Sequence, residues 1–242
     1  ASAKIVKRLF EKSKFAMSSE ETRYYLNGVY LHQCEEEGKQ ILRAVATDGH
    51  RLAQIDVDPP RNMSSFTGVI VPKKTVSELR MVLESESDDI SISVSNNKIR
   101  FSNETLTLTS KVVDGTFPDY KRVIPLDNDK KLQVNATEFS EAVDRVSTVS
   151  SERSRAVKLS LSSGRLHLSV NSPENGKAED EILVDYNYDD LEIGFNARYL
   201  QELTSQVDGK NVEFSFKSSG DPALMKDIED EGAIYVVMPM RV

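Results

Sequence analysis

The sequence predicts an α+β fold of two similar domains, residues 1–124 and 125–242, each with helices on one face of antiparallel sheets. Three observations predict it. Runs with a helical apolar period are separated by groups of several strand-like runs. That order, helix, strands, helix, strands, is written twice along the chain. The two late helices also align without a gap, Pro72 on Asn196, Val76 on Leu200, Glu78 on Glu202 and Leu79 on Leu203, a constant shift of 124. An internal repeat of about 120 residues is too long for a solenoid unit, and each copy is large enough to hold its own core.

The first copy opens with Ile5, Val6, Leu9, Phe10, Ser13, Ala16 and Met17 on one arc of a helical wheel, which predicts one helix running to Met17. Strand-like runs follow in YYLNGVYLHQ, QILRAVATDG, RLAQIDVD and GVIVP. Pro72 halts the last of these and suits the first turn of the next helix, KKTVSELRMVL, whose Val76, Leu79, Val82 and Leu83 share a face. DISISVS and KIRFS form a hairpin through Asn96-Asn97, and TLTLTSKVV adds a third strand. In the second copy TEFSEAVDRVSTVS is a helix with Thr137 as its cap and Glu138 in its first turn. RAVKLSLSSG pairs with RLHLSVNS, EILVDYNY and LEIGF are strands, NARYLQELTSQV is a helix, and NVEFSFKSS and AIYVVMP close the unit. DIEDEG, before the last strand, reads as a solvated loop.

Composition narrows the class of function. No apolar run approaches the roughly 20 residues of a bilayer span, and ASAKIVKRLF lacks the apolar core of a signal peptide. Cys34 is the only cysteine, so neither an intramolecular disulfide nor a cysteine zinc site is available, which fits a reducing cytoplasm. The net charge of -8 argues against a generic nucleic-acid binder, but it is unevenly spread. Residues 1–124 hold 18 Lys and Arg against 17 Asp and Glu; residues 125–242 hold 13 against 22. Attraction to phosphate is therefore local. The first helix, with Lys4, Lys7, Arg8, Lys12 and Lys14 against Glu11 alone, is either a solvated face or a surface turned to phosphates. Tyr24 and Tyr25 either pack in a strand or stack on unpaired bases.

The stretch ATDGHRLA, residues 46–53, gathers Asp48, His50 and Arg51 behind an apolar run. These residue types do acid–base and anion chemistry near neutral pH. No Gly-x-Ser-x-Gly, Walker or His-Glu-x-x-His pattern accompanies them, and Asp48-Gly49 reads as a hairpin turn with positive φ at Gly49. A lone glycine followed by a strand offers no cradle for phosphate. A two-domain enzyme using Asp48, His50 and Arg51 stays open as an alternative, and it requires a second titratable group from another segment within hydrogen-bond reach of His50. A plain structural β module is the third reading. At the other end, Met238-Pro239-Met240 follows a terminal strand that Pro239 cannot continue, and flexible methionines at a surface suit a groove that accepts several partners.

Taken together and in order, ATDGHRLA, VDGTFPDYKRVIP and YVVMPMRV resemble the bacterial sliding clamp, the β subunit of DNA polymerase III. The resemblance runs over the whole chain but covers only the second and third of that family's three domains. It implies two DNA-clamp domains of a head-to-tail homodimeric ring around duplex DNA, with no sequence specificity, no catalysis, no cofactor and no metal, in the bacterial cytoplasm. With the first domain absent from the chain, half of the ring contact is missing and a monomer is expected.

The resemblance further implies an apolar pocket between the two domains for short motifs of the Gln-Leu-x-Leu-Phe type in polymerase III, the clamp loader, other polymerases and mismatch-repair proteins. Carried onto this sequence, its wall is Leu26, Thr47, Gly49, His50, Arg51 and Leu52 with Pro118, Arg122 and Val123. From the chain's end come Val236, Val237, Met238, Pro239, Met240, Arg241 and Val242, with Pro222 at the edge. Val242 stands where leucine is frequent and Pro222 where serine is, which bears on partner preference. Leu52 is expected to border this cleft, so that Leu52→Asp would abolish binding in a folded protein. The same resemblance turns Lys4, Lys7, Arg8, Lys73, Lys74, Arg80, Arg145 and Arg198 toward DNA.

Overall fold

The computed structural model describes residues 1–60, 62–83, 89–151 and 155–242. Contacts divide them into two units, Ala1–Asp119 and Tyr120–Val242.

In the first unit, helix α1 (Ala3–Glu11) starts where the Ser2 hydroxyl accepts from the Ile5 amide and buries Ala3, Val6, Leu9 and Phe10. It does not run on to Met17. The Ser13 hydroxyl turns back to the Leu9 carbonyl at 2.6 Å, and a 3-10 turn over Lys14–Ala16 follows. Serine offers the backbone a partner other than the next helical turn, and the 3-10 turn still buries Ala16 and Met17. Tyr24 and Tyr25, expected in a strand, lie in a second 3-10 stretch, Glu21–Leu26.

Strands β1 (Gly28–Glu36), β2 (Lys39–Thr47), β3 (Arg51–Val57) and β4 (Val69–Pro72) form an antiparallel sheet in the order β4-β1-β2-β3. Pro72 is both the last residue of β4 and the N-cap of α2 (Lys73–Val82), just ahead of the first turn where it was expected. Helix α2 buries Thr75, Val76, Leu79 and Val82. A second sheet, β5 (Ser91–Val94), β6 (Lys98–Ser102) and β7 (Thr107–Lys111), sets Phe101 edge-on against Phe10 of α1, ring centroids 5.7 Å apart.

One charged side chain is enclosed in this unit. Arg43 of β2 is 1% exposed and grips both carboxylate oxygens of Asp56 at 2.6 Å, with Glu36 at 2.7 Å. Such burial is tolerated only because the guanidinium is paired and hydrogen-bonded.

The second unit begins with β8 (Lys130–Asn135), which the sequence reading missed, and α3 (Ala136–Ser147). The cap of α3 is Asn135 and not Thr137: its side-chain oxygen accepts from the amides of Thr137 and Glu138, both at 3.0 Å. Asn135→Ala is expected to cost about 1 kcal/mol, read as a lower denaturation midpoint with unchanged m-value.

Strands β9 (Ala156–Ser162), β10 (Arg165–Ser172), β11 (Gly176–Leu183) and β12 (Leu191–Asn196) pair in the order β11-β10-β9-β12. The charged run GKAEDE therefore belongs to a strand, which ends where one was expected to be just under way. Helix α4 (Ala197–Thr204) begins 124 residues after α2. Then come β13 (Asn211–Phe216), β14 (Ala223–Asp227) and β15 (Ala233–Val237), paired β15-β14-β13-β8.

Strand β14 was unforeseen. Asp227 at its end is 3% exposed and accepts from the amides of Asp208, Gly209 and Glu229, so the acidic run is no mere solvated loop. In each unit a helix precedes four strands whose spatial order is fourth, first, second, third, then a helix, then three strands: the sequence repeat is a structural one. Among the described residues no helix is long and apolar enough to cross a membrane.

Candidate functional site

The turn between β2 and β3 is closed by its own side chains. Asp48 Oδ1 accepts from the amides of His50 at 2.9 Å and Arg51 at 3.0 Å. The Thr47 hydroxyl accepts from the Gly49 amide at 3.1 Å and donates to the Arg51 carbonyl at 2.7 Å. Gly49 takes the expected positive φ, +89°, which a Cβ would strain.

Arg51 points inward rather than to solvent. It is 8% exposed, its Nε meets Asp48 Oδ2 at 3.1 Å, its Nη2 donates to the Phe15 carbonyl at 2.7 Å, and its guanidinium lies 5.2 Å from the centroid of the Phe15 ring. Both Asp48 oxygens are thus engaged in holding the turn. With its oxygens committed to the backbone of the turn and to Arg51, Asp48 has a structural role, which counts against the enzyme alternative.

Of the first unit's predicted wall, Leu26 (4% exposed), Thr47, Arg51 and Leu52 (1%) are buried, while Gly49, His50 and Pro118 are exposed. Arg51 braces the turn, and Leu52 is enclosed in β3. Arg23, which the sequence reading passed over, lies across Gly49: a Cβ there would sit 2.6 Å from Arg23 Nη1. Two hydrogen bonds fix Arg23 to Glu20, one at 2.7 Å. The Glu20 carboxyl is held below the usual range chiefly by the Arg23 hydrogen bond, with a smaller contribution from the charge of His50. In the sequence Arg23 stands directly before Tyr24-Tyr25, and that position does not point to Gly49.

In the second unit Arg122 and Val123 are exposed on a 3-10 turn, Tyr120–Val123. Val236 and Val237 are buried in β15. Beyond it Met238 and Arg241 are exposed, Pro239 and Met240 half-buried, and Val242 is 63% exposed. This tail is docked: the Met240 amide donates to the Gly194 carbonyl at 2.9 Å. Gly194 of β12 has no room for a side chain, since a Cβ would lie 2.5 Å from the Met240 carbonyl oxygen and closer still to Val242 Cγ1. A glycine inside a strand pattern signals such an approach, so LEIGF held the clue. Half-buried Pro222 is fixed at its carbonyl, which accepts from Asn128 Nδ2 at 2.9 Å.

Lys4, Lys7, Lys73, Lys74, Arg80, Arg145 and Arg198 are exposed, while Arg8 and Tyr25 are half-buried. Tyr24 is 54% exposed and meets Tyr25 edge-on at 5.8 Å. The Lys73 ammonium donates to the Ser19 hydroxyl at 2.6 Å. Arg145 is paired with Asp180 at 2.8 Å and Glu141 at 3.8 Å, and Arg198 with Glu202 at 2.8 Å. Among the described residues no three His, Cys, Asp or Glu side chains are grouped so as to hold a metal ion.

Comparison with known proteins places both units in one lineage. Residues 2–119 match the family described as DNA polymerase III beta subunit, central domain, and residues 121–241 match its C-terminal domain. The chain is 50% identical over 235 residues to the beta sliding clamp of Caulobacter vibrioides NA1000, covering 97% of the chain and 63% of that protein. It is 38% identical over 236 residues to the beta sliding clamp of Escherichia coli K12, covering 98% and 63%. The crystal structure of a Bartonella birtlesii sliding clamp bound to griselimycin superposes with TM-score 0.96 at 49% identity, over all of this chain and 65% of that one. A Caulobacter crescentus beta sliding clamp, with polyethylene glycol at a proposed beta-motif tethering region, gives 0.95 at 48%, with the same coverage. The chain thus spans 63% to 65% of the length of these relatives.

Proposed function

Because the chain belongs to the DNA polymerase III beta subunit family, of which it carries the central and C-terminal domains, we propose that it is the peptide-binding and DNA-facing portion of a bacterial replication clamp. The complete clamp, a homodimer, encircles duplex DNA in the cytoplasm without reading its sequence and without catalysing a reaction. Its partners are the polymerase III catalytic subunit, the clamp loader, other polymerases and mismatch-repair proteins. Topology rather than affinity retains the ring on DNA, so the part described here binds duplex weakly and with a steep dependence on salt.

The observation that carries the peptide reading is the docked tail. Met238 and Val242 present apolar side chains at the surface of a segment whose backbone is fixed on Gly194. An apolar surface on a fixed backbone gains burial without an equal ordering cost. On the first unit the locked turn presents Gly49 and His50 at the surface. Arg51 serves that turn from behind through Phe15.

Each fully buried apolar anchor contributes roughly 1.5–3 kcal/mol, and ordering a short disordered motif takes back part of it. Micromolar affinity follows, about -8 kcal/mol. Isothermal titration with a Gln-Leu-x-Leu-Phe peptide tests this. A dissociation constant in that range, changing little between low and high salt, is expected. Absence of heat at high micromolar peptide would refute the reading.

A further inference from the structure

We infer that the phosphate contacts of this chain belong to the helices of its first unit, and that the arginines of its second unit are withheld from DNA by their own carboxylates. The inference rests on the DNA-facing role proposed above and names the residues that perform it. Helix α1 carries Lys4, Lys7 and Arg8 against Glu11, and α2 carries Lys73, Lys74 and Arg80 against Glu78, a formal +2 on each. Helix α3 carries Arg145 against Glu138, Glu141 and Asp144, a formal -2, and α4 carries Arg198 against Glu202, a formal zero. At about 0.1 M salt a charge is felt over only about 10 Å, so the charges near each helix weigh more than the chain's total, Asp89 beside the start of α1 among them.

Pairing sharpens the contrast. Arg145 directs both Nε and Nη2 at Asp180 Oδ2, each at 2.8 Å, with Glu141 behind it. Arg198 directs Nε at Glu202 Oε1, also at 2.8 Å. A phosphate arriving at Arg145 therefore displaces one carboxylate and still faces others on α3. In the first unit Lys4, Lys74 and Arg80 are exposed and pair with no carboxylate among the described residues, and Lys73 is bound to a neutral hydroxyl. Exposed cations that surrender no partner release counterions at full yield when they meet a phosphate.

The experiment is fluorescence anisotropy of a short labelled duplex against the whole chain across a salt series, with thermal melts as the folding control. The triple variant Lys4→Gln, Lys74→Gln, Arg80→Gln is expected to weaken binding tenfold or more at low salt. It should also flatten the log–log salt slope by about 2 to 3, near 0.9 for each lost contact. Arg145→Gln with Arg198→Gln should change affinity less than twofold. Asp180→Asn with Glu202→Gln, which removes the nearest carboxylate from each arginine, should raise affinity several-fold, a gain that a merely structural role for these pairs would not produce. Equal losses in the two cation-removing variants, or no gain on removing those carboxylates, would overturn the assignment while leaving the DNA role standing. No binding by the unaltered chain even at the lowest salt would overturn the DNA role, and this inference with it.

Discussion

Leu52→Asp is expected to unfold the first unit, and so to serve as a test of the fold and not of the peptide surface. Leu52 is 1% exposed near the start of β3, in register with Thr47 of β2, and β3 is buried at each of its first five residues. Losing the buried leucine forfeits roughly 2–3 kcal/mol of apolar transfer. The carboxylate then adds the cost of a charge with no partner, which exceeds that figure unless the group takes up a proton. A total above about 4–5 kcal/mol is a large share of the roughly 5–15 kcal/mol that holds a typical domain together. Contacts divide the chain into two compact units, so circular dichroism on heating should lose the part of the transition due to the first unit. An unchanged melting profile would contradict the burial of Leu52.

That residue also marks where sequence reading stops. RLAQIDV identifies a strand by period and by its flanking turn, but Arg51 and Leu52 are neighbours whose side chains leave opposite faces, and a half-covered sheet would expose one of them. Both are buried, because both faces of β3 are covered, and a strand's own sequence does not report what covers it. The turn itself was legible: Asp48 and Gly49 carry its chemistry in their residue types. Helix α1 was legible at its start and misread at its end, since Ala16 and Met17 keep the apolar phase while Ser13 takes the Leu9 carbonyl. Strands β8 and β14 escaped because KKLQVN and ALMKD are short and charged. In β14 the buried alternation Ala223, Met225, Asp227 ends on an aspartate that takes the amides of Asp208 and Gly209, in the turn after α4. Arg145 and Arg198 show the same limit in electrostatics: their type is visible in sequence, whereas the carboxylate in front of Arg145 comes from β11, 35 residues away.

Deleting Met240 to Val242 is expected to leave the second unit folded and to reduce peptide affinity at least a hundredfold. The deletion spares β15, which ends at Val237 and keeps its register with β14 from Ile234 to Val237. It removes one backbone hydrogen bond, from Met240 to Gly194, worth about 1 kcal/mol net, and the contact of a valine that is already 63% exposed. For the ligand the loss is larger. The exposed Val242 and the half-buried Met240 disappear with the apolar surface they would give to the ligand, at roughly 1.5–3 kcal/mol for each side chain fully buried, and 1.4 kcal/mol is a factor of ten in affinity. His50→Ala, by contrast, removes one exposed side chain from a turn held by Asp48 and Thr47, and a few-fold weakening is expected. Isothermal titration of the two variants beside the unaltered chain, with melting curves to establish folding, separates these effects. If the folded deletion binds the peptide as tightly as the intact chain, the tail is not part of the binding surface, and Gly194 holds it for stability alone.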